Sequence, residues 1–312
     1  MSDTLVSLSP HHLTAQQLAD YDRDGYLVLR GRIPAALLSR LSDAADDWIE
    51  QGRRLGDGAE GSQDFHWASR PSGRVPYRVN YVHDKGRTES LELLGSPELL
   101  GIAESLAGPD LVPTYESLVF KSAGDGAPIP WHQDALHPRS RRITNIDVYL
   151  DDSIAGQGAL RVLPGSQQRA VDVCALRDEH GWDPPGVVEV EMAAGDVLLH
   201  DVMLVHGSPP ATGNALRRTL YYEFRSAEQI LEEGPFDRAW IERRLRLMAP
   251  ALAAHAAAFP DATPFDWRPS PELRPEPLGD AALELKVAHT VWNEGSFCSA
   301  GDAPGTPAPS SA

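Results

Sequence analysis

Along the first third of the chain the apolar residues recur every three or four positions; from residue 111 they alternate in short runs. The first spacing suits helices with one buried face, the second suits strands. In "LTAQQLADYDRDGYLVLRG" Thr14 and Gln17 stand in the spacing of a capping box. A short helix ending near Gly25 is expected there, followed by the strand "YLVLRG". In "IPAALLSRLSDAADDWIEQG" Leu37, Leu38, Leu41, Ala45 and Trp48 share one helical face, which predicts a core contact. Pro34 suits the first turn of that helix and Gly52 its end. Residues 52–74, rich in Gly, Ser and Arg, read as a loop, equally suited to a surface excursion or a lid. "RVPYRVNYVHDKG" has strand character up to Val82, and "SPELLGIAESLAGPD" is a helix capped by Ser96 and stopped by Gly108-Pro109.

Beyond residue 111, "LVPTYESLVFKS", "RITNIDVYLDD", "GALRVLPGS", "GVVEVEMAAGDVLLHD", "VMLVHGS" and "LRRTLYYEFRS" are β-branched or alternating runs punctuated by Gly, Pro, Asn and Asp. So many short strands predict a sandwich or barrel. The pattern then returns to helix over about 226–258 and passes through a Pro-rich connector to a late strand, "LELKVAHTVW". The tail 299–312 has the composition of a disordered segment. The expected organisation is one domain over residues 1–298, with a β core at about 111–225 and a helical insertion at about 226–258.

Composition narrows the partners. At 42% hydrophobic residues the chain can bury a sizeable core. Its net charge of −17 repels phosphate backbones, which argues against nucleic acid and anionic membranes. No long apolar run suggests a membrane span, and the opening "MSDTLVSLSP" lacks the features of a secretion signal. Cys174 and Cys298 are far apart and in no metal-type spacing, so reduced thiols and a cytoplasmic location are expected.

The chemistry concentrates in "IPWHQDALHP", residues 129–138. A mononuclear non-haem iron site takes two histidines and one carboxylate on one face of the metal and leaves the other face open. On an extended segment residues two apart point the same way, so His132 and Asp134 can converge on one ion. His137, at an odd offset from Asp134, faces away. A third ligand has to come from another strand, and "VLLHDVMLVHGSPP" offers His200 and His206. His206 ends an apolar strand immediately before a Gly-Ser-Pro turn, where a strand delivers a side chain to the mouth of a barrel. His200, beside Asp201 at a bend, reads as a structural histidine. Arg217 opens the strand "RRTLYYEF" and suits a carboxylate held through two parallel hydrogen bonds. Neighbouring strand residues point to opposite faces, so only one of Arg217 and Arg218 is expected to face inward.

"WHQD", "GALRVLPGS" and "HGS…LRRTLYYEF" stand in the order and spacing of the phytanoyl-CoA dioxygenase family. "LADYDRDGYLVLRG" is similar to that family's opening segment, and the resemblance covers roughly residues 13–225. It implies a mostly β fold with flanking helices, a double-stranded β-helix of the jelly-roll, cupin-like type. It further implies Fe(II) on His132, Asp134 and His206, with 2-oxoglutarate and O2 as cosubstrates. By the same resemblance Arg217 holds the distal carboxylate of 2-oxoglutarate, Ser208 assists, and Arg78 in "PYRVNYVHDKG" matches a position where a basic residue touches the cosubstrate. The implied reaction converts 2-oxoglutarate to succinate and CO2 and hydroxylates an unactivated C–H bond. Related halogenases carry a small residue in place of the carboxylate ligand, so Asp134 favours hydroxylation. In one departure, this chain has Asp147 on "NIDVYLDD", where family members can carry a tryptophan near the cosubstrate.

Alternation on "TYESLVFKS" turns Tyr115, Ser117, Val119 and Lys121 to one face, and on "TNIDVYLDD" it does the same for Asn145, Asp147 and Tyr149. If these faces line the barrel, the pocket is polar with an acidic element. Lys121, Asp147 and Tyr149 are then candidate substrate contacts, with Gln133 bordering the entrance. No basic cluster suits a CoA diphosphate, which points to a small polar metabolite such as a natural-product intermediate rather than an acyl-CoA. Asp147 and the net charge suit a substrate bearing an amine. Two other classes compete. A non-catalytic jelly-roll protein that binds a metal or ligand is opposed by the intact set of His132, Asp134, His206 and Arg217. A cupin-like hydrolase or isomerase using another metal has no use for Arg217. The oligomeric state is not legible in the sequence.

Overall fold

Two antiparallel sheets carry the site in the computed structural model, which describes residues 10–70, 73–121, 127–137, 140–211, 216–279, 296 and 298. The larger sheet is ordered β1 (Tyr26–Leu29), β9 (Val197–Asp201), β6 (Thr144–Tyr149), β11 (Arg217–Ser226), β4 (Leu111–Lys121), β3 (Gly73–Asn80) and β2 (Phe65–Arg70). The smaller sheet is ordered β5 (Ile129–His132), β10 (His206–Ser208), β7 (Leu160–Val162) and β8 (Val188–Val190). The chain passes back and forth between them: β4 and β6 lie in one sheet and β5 in the other. This is the jelly-roll arrangement of a double-stranded β-helix. Among the described residues no helix is long and apolar enough to cross a membrane.

The alternation along each strand decides which side chains face the helices and which face the opposite sheet. On β6 Ile146 and Val148, and on β9 Val197 and Leu199, join the apolar core beneath the helices. Their neighbours Tyr149 and Leu198 face the gap between the sheets, where they pack with Leu160, Val162 and Val190. The outer core is closed by α2 (Ala35–Leu55), whose Leu37, Leu41, Ala45 and Trp48 are buried as the helical spacing predicts, with Leu38 half-buried against them and Ala44 buried in addition. Each such fully buried large apolar side chain contributes about 1.5–3 kcal/mol relative to exposure. Ahead of it, α1 (Ala15–Asp24) forms the expected capping box: Gln17 N–H donates to Thr14 Oγ1 at 3.2 Å and Thr14 N–H to Gln17 Oε1 at 2.8 Å.

Helices α6 (Ala227–Glu233), α7 (Arg238–Leu245) and α8 (Met248–Ala258) add to the same outer layer through Ile230, Trp240, Ile241, Leu245 and Met248. The helical stretch after residue 226 therefore backs the large sheet and does not cover the gap between the sheets. Arg244 of α7 is fully buried and pairs with Glu116 of β4, itself 1% exposed. Farther along, α8 meets Gly95 at the end of α3 (Glu89–Leu94). A Cβ there would stand 2.1 Å from the Ala251 carbonyl oxygen. The φ of Gly95, −82°, suits any residue, so the contact alone carries the cost of a substitution. Gly95→Ala is expected to lose about 1–3 kcal/mol of stability, read as a lower urea midpoint with an unchanged slope. An unchanged midpoint would show that α8 can shift without cost.

Several expectations are corrected. Gly52 does not end α2; it lies within the helix, where a Cβ would come within 2.6 Å of the Phe65 ring. Pro34 caps that helix from outside its first turn. Residues 52–74 are not all loop, since β2 pairs there with β3 and closes one edge of the large sheet. Neither α3 nor α5 (Val173–His180) is visible in the apolar spacing. All six residues of α3 are buried, which removes any periodicity. Helix α5 buries only Val173 and is held by its cap, Asp172 accepting from the N–H groups of Cys174 and Ala175. The late strand and the tail lie outside the described residues, except that Ser296 pairs with Gln133 and donates its hydroxyl to the Val171 carbonyl.

Candidate metal centre

The antiparallel pairing of β5 with β10 places His132 and His206 opposite each other, their rings 4.1 Å apart between centroids. Asp134 stands just past the end of β5. Each of the three offers one ligand atom, and these atoms lie within 4.8 Å of one another; neither His137 nor His200 joins this group. His132 donates its Nδ1–H to the Pro130 carbonyl at 2.8 Å, and His206 donates its own to the Leu204 carbonyl at 2.9 Å. Both rings are thereby anchored through Nδ1 with Nε2 turned toward Asp134. Burial, then His132 beside it, pushes His206 down to about 3, so its imidazole is neutral at ordinary pH. Burial alone would raise the Asp134 carboxyl, but His206, His132 and His200 hold it well below the usual carboxylate range. Two imidazoles and one carboxylate form the donor set of a divalent iron site, and the residues fit the ion.

A second layer surrounds Asp134. Its Oδ2 accepts from Asn145 Nδ2 at 2.9 Å and from His200 Nε2 at 3.2 Å. His200 Nδ1 donates to Asp147 Oδ2 at 3.0 Å. Burial lowers His200, yet Asp147 and Asp134 outweigh it and push the ring up to about 10, so it carries a charge between two carboxylates. The sequence reading had His200 as a structural histidine and did not place it here. The available signal was alternation on β9, which turns His200 to the same side as Leu198, toward the gap between the sheets.

At the other end of the gap three polar residues meet. Arg217 and Lys121 are cross-strand partners on β11 and β4. Lys121 Nζ donates to Ser208 Oγ at 2.8 Å and to the Pro209 carbonyl at 3.2 Å. Arg217 donates to Ser208 Oγ and Ser153 Oγ, each at 3.2 Å, and to the Gly158 carbonyl. Arg218 points the other way, to Asp151 and to Asp46 of α2, so one arginine of the pair faces inward as expected. Arg78 of β3 also lies near the triad. Burial opposes its charge, but Tyr115, Tyr77, Asp134 and Tyr221 together raise it. Its Nε is buried with no hydrogen-bond partner.

The candidate substrate contacts fare differently. Gln133 does not border the entrance: it is fully buried, donating to the Arg169 carbonyl at 2.9 Å and to the Met203 carbonyl, and accepting from Val171 N–H at 2.9 Å. Pointing away from the ligands, as alternation requires, directs it into the protein and not toward solvent. Asp147, also fully buried, is engaged by His200 through Oδ2, and its Oδ1 is buried with no hydrogen-bond partner. Tyr149 packs in the core between the sheets. Lys121 stands with Arg217 and Ser208, at the end assigned to the cosubstrate.

Comparison with known proteins gives the same fold and family. The family described as phytanoyl-CoA dioxygenase (PhyH) matches residues 21–219. A probable alpha-ketoglutarate-dependent hypophosphite dioxygenase of Stutzerimonas stutzeri is 27% identical over 151 residues, 44% of this chain and 52% of that protein. An L-proline trans-4-hydroxylase of Streptomyces griseoviridis is 35% identical over 133 residues, 39% of this chain and 50% of that protein. The aligned part thus spans about half the length of each of these two relatives. The crystal structure of AviO1 from Streptomyces viridochromogenes Tue57 is similar with a TM-score of 0.58 and 29% identity, covering 68% of this chain and 95% of that one. With the match extending from α1 into β11 and taking in His132, Asp134, His206 and Arg217, the chain belongs to the phytanoyl-CoA dioxygenase family.

Proposed function

We propose that this protein is a 2-oxoglutarate-dependent non-haem iron dioxygenase that hydroxylates an unactivated C–H bond of a small polar metabolite, in the biosynthesis or tailoring of a natural product. The overall change is balanced as 2-oxoglutarate, O2 and R–H giving succinate, CO2 and R–OH. The observation that carries the reading is the convergence of two Nδ1-tethered histidines and Asp134 on one point. Iron held there supplies the redox chemistry that activates oxygen. His132 and His206 bind it through Nε2, and Asp134 provides the only negative charge among the ligands. Arg217, Lys121 and Ser208 bind the distal carboxylate of 2-oxoglutarate. Arg78, a cation with an unpartnered Nε near Asp134, meets the cosubstrate nearer the metal.

The relatives named for hypophosphite and L-proline support a small polar substrate. A preference for amines is not part of this reading, because Asp147, which motivated it, is engaged by His200. A cytoplasmic setting is part of it, in keeping with two cysteines in no disulfide-like spacing.

The test is an anaerobic titration of the metal-free protein with Fe(II) and 2-oxoglutarate, followed by the visible charge-transfer band and then by succinate release in air. No band at saturating cosubstrate would sink the proposal. Arg217→Ala removes a charge-assisted contact of about 1.5–3 kcal/mol, so the KM for 2-oxoglutarate is expected to rise roughly 10- to 150-fold. An unchanged KM would remove Arg217 from the cosubstrate site.

A further inference from the structure

The two oxygens of Asp134 stand in different surroundings. Oδ2 accepts two hydrogen bonds, from Asn145 and His200. Oδ1 faces His132 Nε2 at 3.4 Å and accepts neither of those bonds, while Oδ2 stands 3.8 Å from His206 Nε2. One ligand atom from each of His132, Asp134 and His206 lies within 4.8 Å of the others, a spacing that suits a cation between them.

The donors on Oδ2 are themselves held. Asn145 and His200 are cross-strand partners on β6 and β9, and Asp147 lies two residues along β6 on the same face as Asn145. His200 is 1% exposed and Asp147 fully buried, so the ring is clamped between its two carboxylates and has no nitrogen left to ligate a metal itself. Asp134, by contrast, sits past the end of β5 with a side chain 23% exposed, between Gln133, which pairs with Ser296, and Ala135, whose N–H donates to the Val202 carbonyl. The bracket comes from the large sheet and reaches across to a ligand borne by the small one.

We propose that Asn145, His200 and Asp147 are positioning residues that hold Asp134 by Oδ2, so that Oδ1 alone is presented to the metal. This rests on the ligand set proposed above. Its consequence is a carboxylate that binds through one oxygen. A carboxylate free to rotate can close on the ion with both, occupying a position the cosubstrate needs. Partners of this kind typically change metal affinity by 10- to 100-fold.

The test uses the full chain under anaerobic conditions, with Fe(II) as the titrant. His200→Phe combined with Asp147→Leu removes the imidazole and its buried carboxylate together, so neither charge is left stranded. The Fe(II) dissociation constant of that variant is expected to rise roughly 10- to 100-fold. The charge-transfer band with 2-oxoglutarate should shift, and succinate should be released in excess of hydroxylated product. His200→Gln, whose amide can still donate to Asp134, should recover much of the affinity. A folded double variant with unchanged Fe(II) affinity and an unchanged band overturns the proposal. Asn145→Ala removes the 2.9 Å bond to Asp134 together with the 3.2 Å contact to His200 Nε2, and decides the matter should the double variant not fold; there too, weaker Fe(II) binding supports the proposal and unchanged binding overturns it. Failure of the unaltered chain to bind Fe(II) would instead strike the ligand set, which separates the two readings.

Discussion

Asp134→Ala is expected to lower succinate release by at least about 1,000-fold, the effect of removing a group on which the chemical step depends. Two imidazoles remain in that variant, and the only carboxylate of the set is gone. The loss has a second part: His200, charged between two carboxylates, keeps Asp147 alone. Because Asp134 lies past the end of β5 and is partly exposed, its removal should leave the fold intact. Circular dichroism and the melting temperature should therefore stay close to those of the unaltered protein while bound iron, measured after desalting, falls to background. Near-native succinate release by this variant would show that the ligand assignment is wrong. Retained iron with lost turnover would instead place Asp134 in the chemistry but outside the coordination sphere.

The largest stability effect is expected far from the metal. Arg244→Met strands Glu116, which is 1% exposed on β4, without its guanidinium. Breaking a buried ion pair from one side typically costs about 3–5 kcal/mol, because the remaining charge keeps its desolvation penalty and loses its partner. His83 stands 3.6 Å from Glu116 but offers little relief: burial, against the pull of Glu116, pushes it down to about 4, so it is neutral. Arg244 also donates to the Pro113 carbonyl, which tethers α7 to β4 at a second point. The double variant Arg244→Met/Glu116→Leu removes both charges and should recover most of the loss, since an apolar pair of similar volume can replace a buried ion pair with little cost. Urea denaturation of the two single variants and the double variant measures this directly. Equal destabilisation of the Arg244→Met and double variants would show that the cost lies in packing and in the Pro113 contact.

These two sites differ in how far the sequence announces them. His132 and Asp134 were legible because a pair two residues apart on an extended segment has a local signature; His206, expected at the end of a strand before a turn, instead opens β10 after one. Arg217 was legible from its place at the start of a strand. The outer helices α1, α2 and α4 (Pro97–Ala107) were legible from capping residues and apolar spacing. Helix α3 was not, since burial on every side erases the polar face that marks a helix. Nor was Gly52 as an interior residue, because what it meets is the Phe65 ring, on a strand beyond the end of the helix.

The polar residues of the large sheet show the same division. Alternation correctly put Tyr115, Ser117, Val119 and Lys121 on one face, and Asn145, Asp147 and Tyr149 on another. It did not say which partner each would meet. Lys121 was read as a substrate contact and stands instead beside Arg217, because the register of β4 against β11 pairs those two positions. Asp147 was read as an acidic element of the pocket and is paired with His200, because β6 and β9 are neighbours. Gln133 was read as a residue of the entrance, yet its outward direction leads into the protein, where its amide meets three backbone groups.

The sequence by itself pointed to the family, the jelly-roll class, the three residues that converge at the metal centre and the inward-facing Arg217. The His132-x-Asp134 pair and the alternation that turns Arg217 inward rest on spacing within one segment, which covalent geometry fixes, and the rest on a resemblance carried by motifs in chain order. Only the tertiary structure decided that Asp134 is braced by Asn145 and His200, residues 11 and 66 positions away, and that Glu116 and Arg244, 128 apart, share a buried charge pair. Those contacts depend on strand register and on the order of strands within each sheet, which are set when distant apolar faces pack together. Periodicity along one segment states which way a side chain points; the packing of separate segments states what it finds there.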